Sequence, residues 1–133
     1  MKSEQYINSV NLNAGTEFPY LVLDVHEQES VPRNPGFQVL HWHEDLQFVY
    51  VFEGSAELQT LEESVRLKAG EGVFLNKNVV HQILQGEGCH YNSFLFPEQF
   101  LKFYPGSPAA DLVEKITTNQ ALPYLFLHPD GAW

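Results

Sequence analysis

The sequence predicts an all-β domain, an antiparallel barrel of two facing sheets with short helical segments near its C-terminal end. Three observations carry that expectation. Alternating or fully apolar runs recur up to Phe96, separated by turn residues at a spacing of roughly eight to twelve, the rhythm of β-sandwiches and barrels. Helical spacing of apolar residues begins only beyond Pro97. The 133 residues, 44% hydrophobic with ten Phe, six Tyr and two Trp, suffice to fill one core.

Taken in order, Phe18 to Val25 predicts a first strand, and the Glu-, Pro- and Gly-rich run ending at Gly36 predicts a loop. Phe37 to His43 alternates, which places Val39, His41 and His43 on one face and Trp42 on the other. After the acidic turn at Glu44 and Asp45, Leu46 to Phe52 is apolar on both faces, so both faces are expected to be covered. Further strands are predicted at Ala56–Leu61, Val65–Lys68, Val73–Leu75, His81–Leu84 and His90–Phe96, giving a barrel over about residues 16–96. Residues 97–133 are expected to supply helical segments and a final strand. Pro97 to Phe103 allows a short helix, and Ser107 followed by Pro108 reads as an N-cap with proline in the first helical position. Ala109, Leu112, Val113 and Ile116 then repeat at helical spacing, with Asp111 and Lys115 suiting the helix dipole. Leu122 to His128 predicts the last strand, before a turn and an exposed Trp133.

Seven basic residues against seventeen acidic ones leave a formal charge of −10. Such a chain repels a phosphate backbone, so it is not expected to bind nucleic acid by itself. No signal peptide is legible at the N-terminus, and no run reaches membrane-spanning length, which predicts a cytoplasmic protein with no membrane partner. The single cysteine, Cys89, excludes an internal disulfide and reads as a small buried hydrophobe.

Chemistry concentrates in three histidines. His41 and His43 share a strand face, and His81 falls on a later strand, a spacing that gathers nitrogen ligands inside a small barrel. Gln47 and Gly54 follow the first pair. This arrangement resembles the cupin superfamily, whose first motif runs His-x-His, Glu, Gly at spacings matched by His41, His43, Gln47 and Gly54. Its second motif is matched in spacing by Gly70, Asn76, Asn78, His81 and Gln85, where the family has Gly, Pro, Gly, His and Asn. Asn76 and Asn78 suit a tight turn, whereas Gln47 replaces an anionic ligand by a neutral amide. The resemblance implies an antiparallel double-stranded β-helix and a divalent metal such as Zn, Ni, Fe or Mn on His41, His43, His81 and Gln47. Polar pocket lining without metal stays open as the other reading of the same four residues.

More narrowly, HWHEDLQFVYVFEGSAELQT, VRLKAGEGVFLNKNVVHQI and CHYNSFLFPEQFL resemble the N-terminal sensor domain of AraC-type transcriptional regulators. That resemblance implies a domain that binds a small-molecule effector, a carbohydrate or another polar metabolite, and forms a homodimer. A separate pair of helix-turn-helix units binds DNA in that family, and residues 1–133 are expected to be the sensor without them. Val39, Val49, Val51 and Phe94 are expected to add apolar lining to a ligand pocket around the histidines. No catalytic residue is assigned. A stand-alone metal-dependent cupin enzyme, dioxygenase- or isomerase-like, is the alternative from a different class. His26, His90 and His128 lie outside the motifs and read as surface residues.

Overall fold

The computed structural model describes residues 6–27, 29–34, 39–104 and 106–129. In chain order these form β1 (Ile7–Asn8), β2 (Leu21–His26), β3 (Glu29–Val31), β4 (His41–Trp42), β5 (Leu46–Glu53) and β6 (Ser55–Thr60). There follow β7 (Ser64–Lys68), β8 (Gly72–Leu75), β9 (His81–Gln85), β10 (His90–Phe96), α1 (Gln99–Lys102), α2 (Pro108–Thr117) and β11 (Tyr124–Leu127). Two sheets face each other: a five-stranded one in the order β1-β4-β9-β6-β7 and a six-stranded one in the order β11-β8-β5-β10-β2-β3. β1 joins β4 in parallel, and the other pairings among the described residues are antiparallel.

Alternation explains the core. Leu21, Leu23 and Val25 of β2, Val49 and Val51 of β5, Leu58 of β6, Leu67 of β7 and Ile83 of β9 turn into the space between the sheets and are buried. A second cluster lies on the outer face of the six-stranded sheet, where Leu46, Phe74 and Phe96 are covered by Phe100 and Ile116 from the helical segment. Ser107 caps α2 as its sequence predicts, its Oγ accepting the Ala110 N–H at 3.2 Å, with Pro108 next in line.

Several expectations are revised. β4 is two residues long, so the alternation read from Phe37 does not extend back through Val39, which sits in a bend and is 42% exposed. Gly36, Phe37 and Trp133 lie outside the described residues. β1 and β3 are strands where no strand was expected, both at sheet edges where pairing with a single neighbour suffices. The outer face of β5 is covered only at its Leu46–Phe48 end, and Tyr50 and Phe52 remain exposed. On α2, Val113 is buried and Ile116 packs inward, while Leu112 points to solvent at 62% exposure.

Candidate functional site

Cross-strand register assembles the histidines. His41 of β4 lies opposite His81 of β9, and His43 follows β4 immediately, so all three rings come from the five-stranded sheet. Gln47 reaches them from β5 of the facing sheet, beside Ser93 of β10. All five side chains are buried. One nitrogen of each ring lies within 4.8 Å of the others.

The hydrogen bonds settle the histidine tautomers. His41 Nδ1 lies 2.6 Å from the Val39 carbonyl, His43 Nδ1 2.9 Å from that of Asp45, and His81 Nδ1 2.8 Å from that of Val79. A carbonyl oxygen only accepts, so each Nδ1 carries the proton and each Nε2 of a neutral ring presents a lone pair. Burial keeps the rings neutral. It pushes the His41 imidazole down to about 4 and lowers those of His43 and His81 as well.

Two of those lone pairs, on His43 and His81, meet Gln47. Its Oε1 lies 2.8 Å from His43 Nε2 and 3.1 Å from His81 Nε2, while its Nε2 donates to Ser93 Oγ. An amide oxygen is an acceptor, so acceptors here face acceptors with no proton between them. Two arrangements resolve this. A cation among them can take all the lone pairs, or the amide can rotate by half a turn so that its NH2 donates to both rings and its oxygen accepts from Ser93. Nδ1–H groups anchored on backbone carbonyls also orient metal-bound imidazoles, so the donor set fits a divalent ion.

The space enclosed by these side chains is about 20 Å³. It admits one water or one ion, far below the roughly 300–1,000 Å³ of a metabolite site. Of the remaining pocket residues expected from sequence, Val49 is buried two residues along β5 from Gln47, in the apolar core, and Val51 lies beyond it. Phe94 is paired with Phe48 and Val22 and shares neither strand parity nor face with Ser93, so it is on the outer side of the sheet. Val39 contributes its carbonyl rather than its side chain. Ser93 is the residue the sequence reading missed. A larger open groove, about 460 Å³, lies between the turn at Asn76–Val79 and the end of α2. Much of its polar lining is already paired, with Asn76 bonded to Ile116, Thr117 to Glu98 and Thr118 to Glu114.

Comparison with known proteins places this geometry. A model of the cupin domain matches residues 21–88. The chain belongs to the cupin family. This cupin is 30% identical over 106 residues to the uncharacterized HTH-type transcriptional regulator YdeC of Bacillus subtilis (strain 168), across 74% of the chain and 34% of YdeC. Among solved structures it is similar in fold to unsaturated-fatty-acid-bound wild-type ToxT from Vibrio cholerae strain SCE256. There the TM-score is 0.52 at 16% identity, over 82% of this chain and 40% of ToxT. It is likewise similar to ToxT from Vibrio cholerae O395 bound to (E)-4-(8-methylnaphthalen-1-yl)but-3-enoic acid, at a TM-score of 0.51 and 11% identity over 84% and 42% of the two chains. The cupin thus spans 34% of the length of YdeC and 40 to 42% of ToxT. Among the described residues no helix is long and apolar enough to cross a membrane.

Proposed function

We propose that this chain is the sensing and dimerisation domain of an AraC-type helix-turn-helix transcriptional regulator, acting in the cytoplasm. The 30% identity to YdeC, confined to 34% of that regulator, carries this reading. The charge of −10 agrees with it, since a sensing domain need not touch DNA. The species seated among His41, His43, His81 and Gln47 is, in this proposal, a divalent metal ion. Three imidazoles of intermediate softness outnumber one harder amide oxygen, which suits Zn, Ni or Fe better than Mn. When bound, such an ion supplies the positive centre that the converging lone pairs lack and ties the two sheets together.

A metabolite effector, carbohydrate or otherwise, finds too little room in about 20 Å³, and so do ligands of the size bound by ToxT. The same volume supports a sensor over a dioxygenase- or isomerase-like enzyme, which needs an open coordination position with substrate beside it. Elemental analysis and native mass spectrometry of untagged protein test the metal. About one divalent ion per chain is expected, with a melting temperature that falls on chelation. Metal-free protein whose melting temperature is unmoved by chelator or by added Zn, Ni or Fe salts would mean that the Gln47 amide is turned and the cluster is a closed polar core. A reading frame that stops at Trp133 would overturn the regulator reading.

A further inference from the structure

The turn between β8 and β9 has the histidine site on one side and the C-terminal helix on the other. Toward the site, the Asn78 N–H donates to the His43 carbonyl at 2.8 Å, and the Val79 carbonyl accepts from His81 Nδ1 at 2.8 Å. Toward the helix, Asn76 Nδ2 donates to the carbonyls of Ile116, at 2.7 Å, and Leu122, at 3.0 Å, and its backbone N–H donates to that of Pro123 at 2.9 Å. Asn76 Oδ1 accepts the Lys77 N–H at 2.9 Å, and Lys77 Nζ meets Glu98 Oε1 at 2.7 Å. The other oxygen of Glu98 accepts from Thr117 in the last turn of α2, also at 2.7 Å.

Asn76 is only 3% exposed, so its own hydrogen bonds are shielded from bulk water. The cupin motif has proline at this place. Proline has no N–H and no side-chain amide, so it offers none of the three donors that Asn76 sends to Ile116, Leu122 and Pro123. The exchange therefore changes the connectivity of the barrel: it fastens the histidine-bearing turn to the end of α2. The Ile116 carbonyl, in the last turn of that helix, accepts the Asn119 N–H at 3.2 Å as well as Asn76 Nδ2, so Asn76 shares in how the helix ends.

We propose that Asn76 is a positioning residue that couples occupancy of the histidine cluster to the C-terminal end of α2 and the segment leading into β11. The inference rests on reading this chain as a sensing domain, and it names the route by which occupancy leaves the site. Filling the cluster fixes His43 and His81. They in turn fix the Asn78 N–H and the Val79 carbonyl, and the turn carries Asn76 with it. A change of occupancy thereby alters how firmly Ile116 and Leu122 are held.

Amide hydrogen exchange on the full chain tests this, read at Thr118, Asn119 and Leu122. His43→Ala is expected to speed exchange at these amides about fivefold in the otherwise native chain, on the scale of one net hydrogen bond. In an Asn76→Pro background the same substitution should add nothing to the rates of Asn76→Pro alone. The proposal is overturned if His43→Ala leaves these amides unchanged, or if its effect is equally large in both backgrounds. Protection at Leu58 and Leu67 confirms that each variant is folded. Should Asn76→Pro not fold, Asn76→Asp, which keeps the backbone N–H and Oδ1 but loses the two side-chain donors, takes its place in the same comparison. Zn2+ added to the native chain is expected to slow the same amides. If calorimetry finds no Zn2+ bound, the metal reading fails, while the His43→Ala comparison still decides the coupling.

Discussion

Gln47 decides the chemistry of the cluster because it is the one member whose polarity toward the His43 and His81 rings can reverse. With a metal ion present, Gln47→Glu places a full negative charge against it, and affinity should rise by about tenfold or more, some 1.4 kcal/mol. In metal-free protein the same change removes the amide donor that satisfies His43 and His81 and should cost about 1–3 kcal/mol. Competition with a chromophoric chelator measures the first, and urea unfolding the second; an affinity that stays level or falls would count against the ion. Acid should also weaken the metal-free protein. The His41 imidazole is held at about 4 by burial, below its ordinary 6.5, and those of His43 and His81 are lowered too. The unfolded chain therefore takes up protons first as pH drops. Stability from this source is fully present above about 6.5 and is lost progressively toward about 4, with His41 alone accounting for roughly 3 kcal/mol. The urea midpoint should decline between about pH 7 and pH 5, and His41→Gln should flatten that decline. A profile indifferent to pH would show that the buried rings do not govern it.

At the scale of elements, the site was legible wherever strand parity alone determined it. His41 and His43 are legible because alternate residues share a strand face, and Gln47 and His81 because their spacings match the first and second cupin motifs. Parity failed where the strand itself was shorter than its apolar pattern. β4 has only two residues, so Val39 lies before the alternation starts. Phe94 fell one residue off: hydrophobicity marks both faces of a strand that is covered on both, and only the pairing of Val49 with Ser93 shows which residues of β10 face the histidines. The role of Asn76 was likewise not legible, since its partners at Ile116 and Leu122 are set by tertiary packing of α2. The motif glycine after β5 yields a sharper test. Gly54 has φ +69°, and a Cβ there would lie 2.7 to 2.8 Å from backbone atoms of Glu87, Gly88 and Cys89. Gly70 has φ +88° with nothing within 4 Å of the same atom. Gly70→Ala should thus cost only the backbone strain, about 1 kcal/mol, whereas Gly54→Ala adds a clash that only backbone movement relieves and should cost about 2–4 kcal/mol. Equal losses of stability in the two variants would refute the steric part of this account.

For the whole molecule, assembly sets charge against apolar surface. The six-stranded sheet is covered by α1 and α2 at one end only; at the other, Tyr50 and Phe52 stand edge to face at 5.0 Å, with the His90 ring 5.2 Å from Phe52. Both aromatic side chains are exposed, at 39% and 44%. An uncovered aromatic strip next to a packed core is the kind of surface that a second copy can bury, and we expect the proposed homodimer to form through it. Each protomer carries a formal charge of −10, so two copies repel one another at long range. The Debye length shrinks from about 30 Å at 0.01 M salt to about 8 Å at 0.15 M, and the apolar contact is not weakened by that change. Dimerisation should accordingly strengthen as salt is added, the reverse of what an interface held by ion pairs would show. Sedimentation velocity across that range is expected to move the population from monomer toward dimer. Phe52→Glu, which places a buried charge at the centre of the contact, should restore the monomer at every salt concentration. A dimer that weakens with salt, or that survives Phe52→Glu, would relocate the interface away from this sheet, and a monomer under all conditions would remove dimerisation from the proposed function.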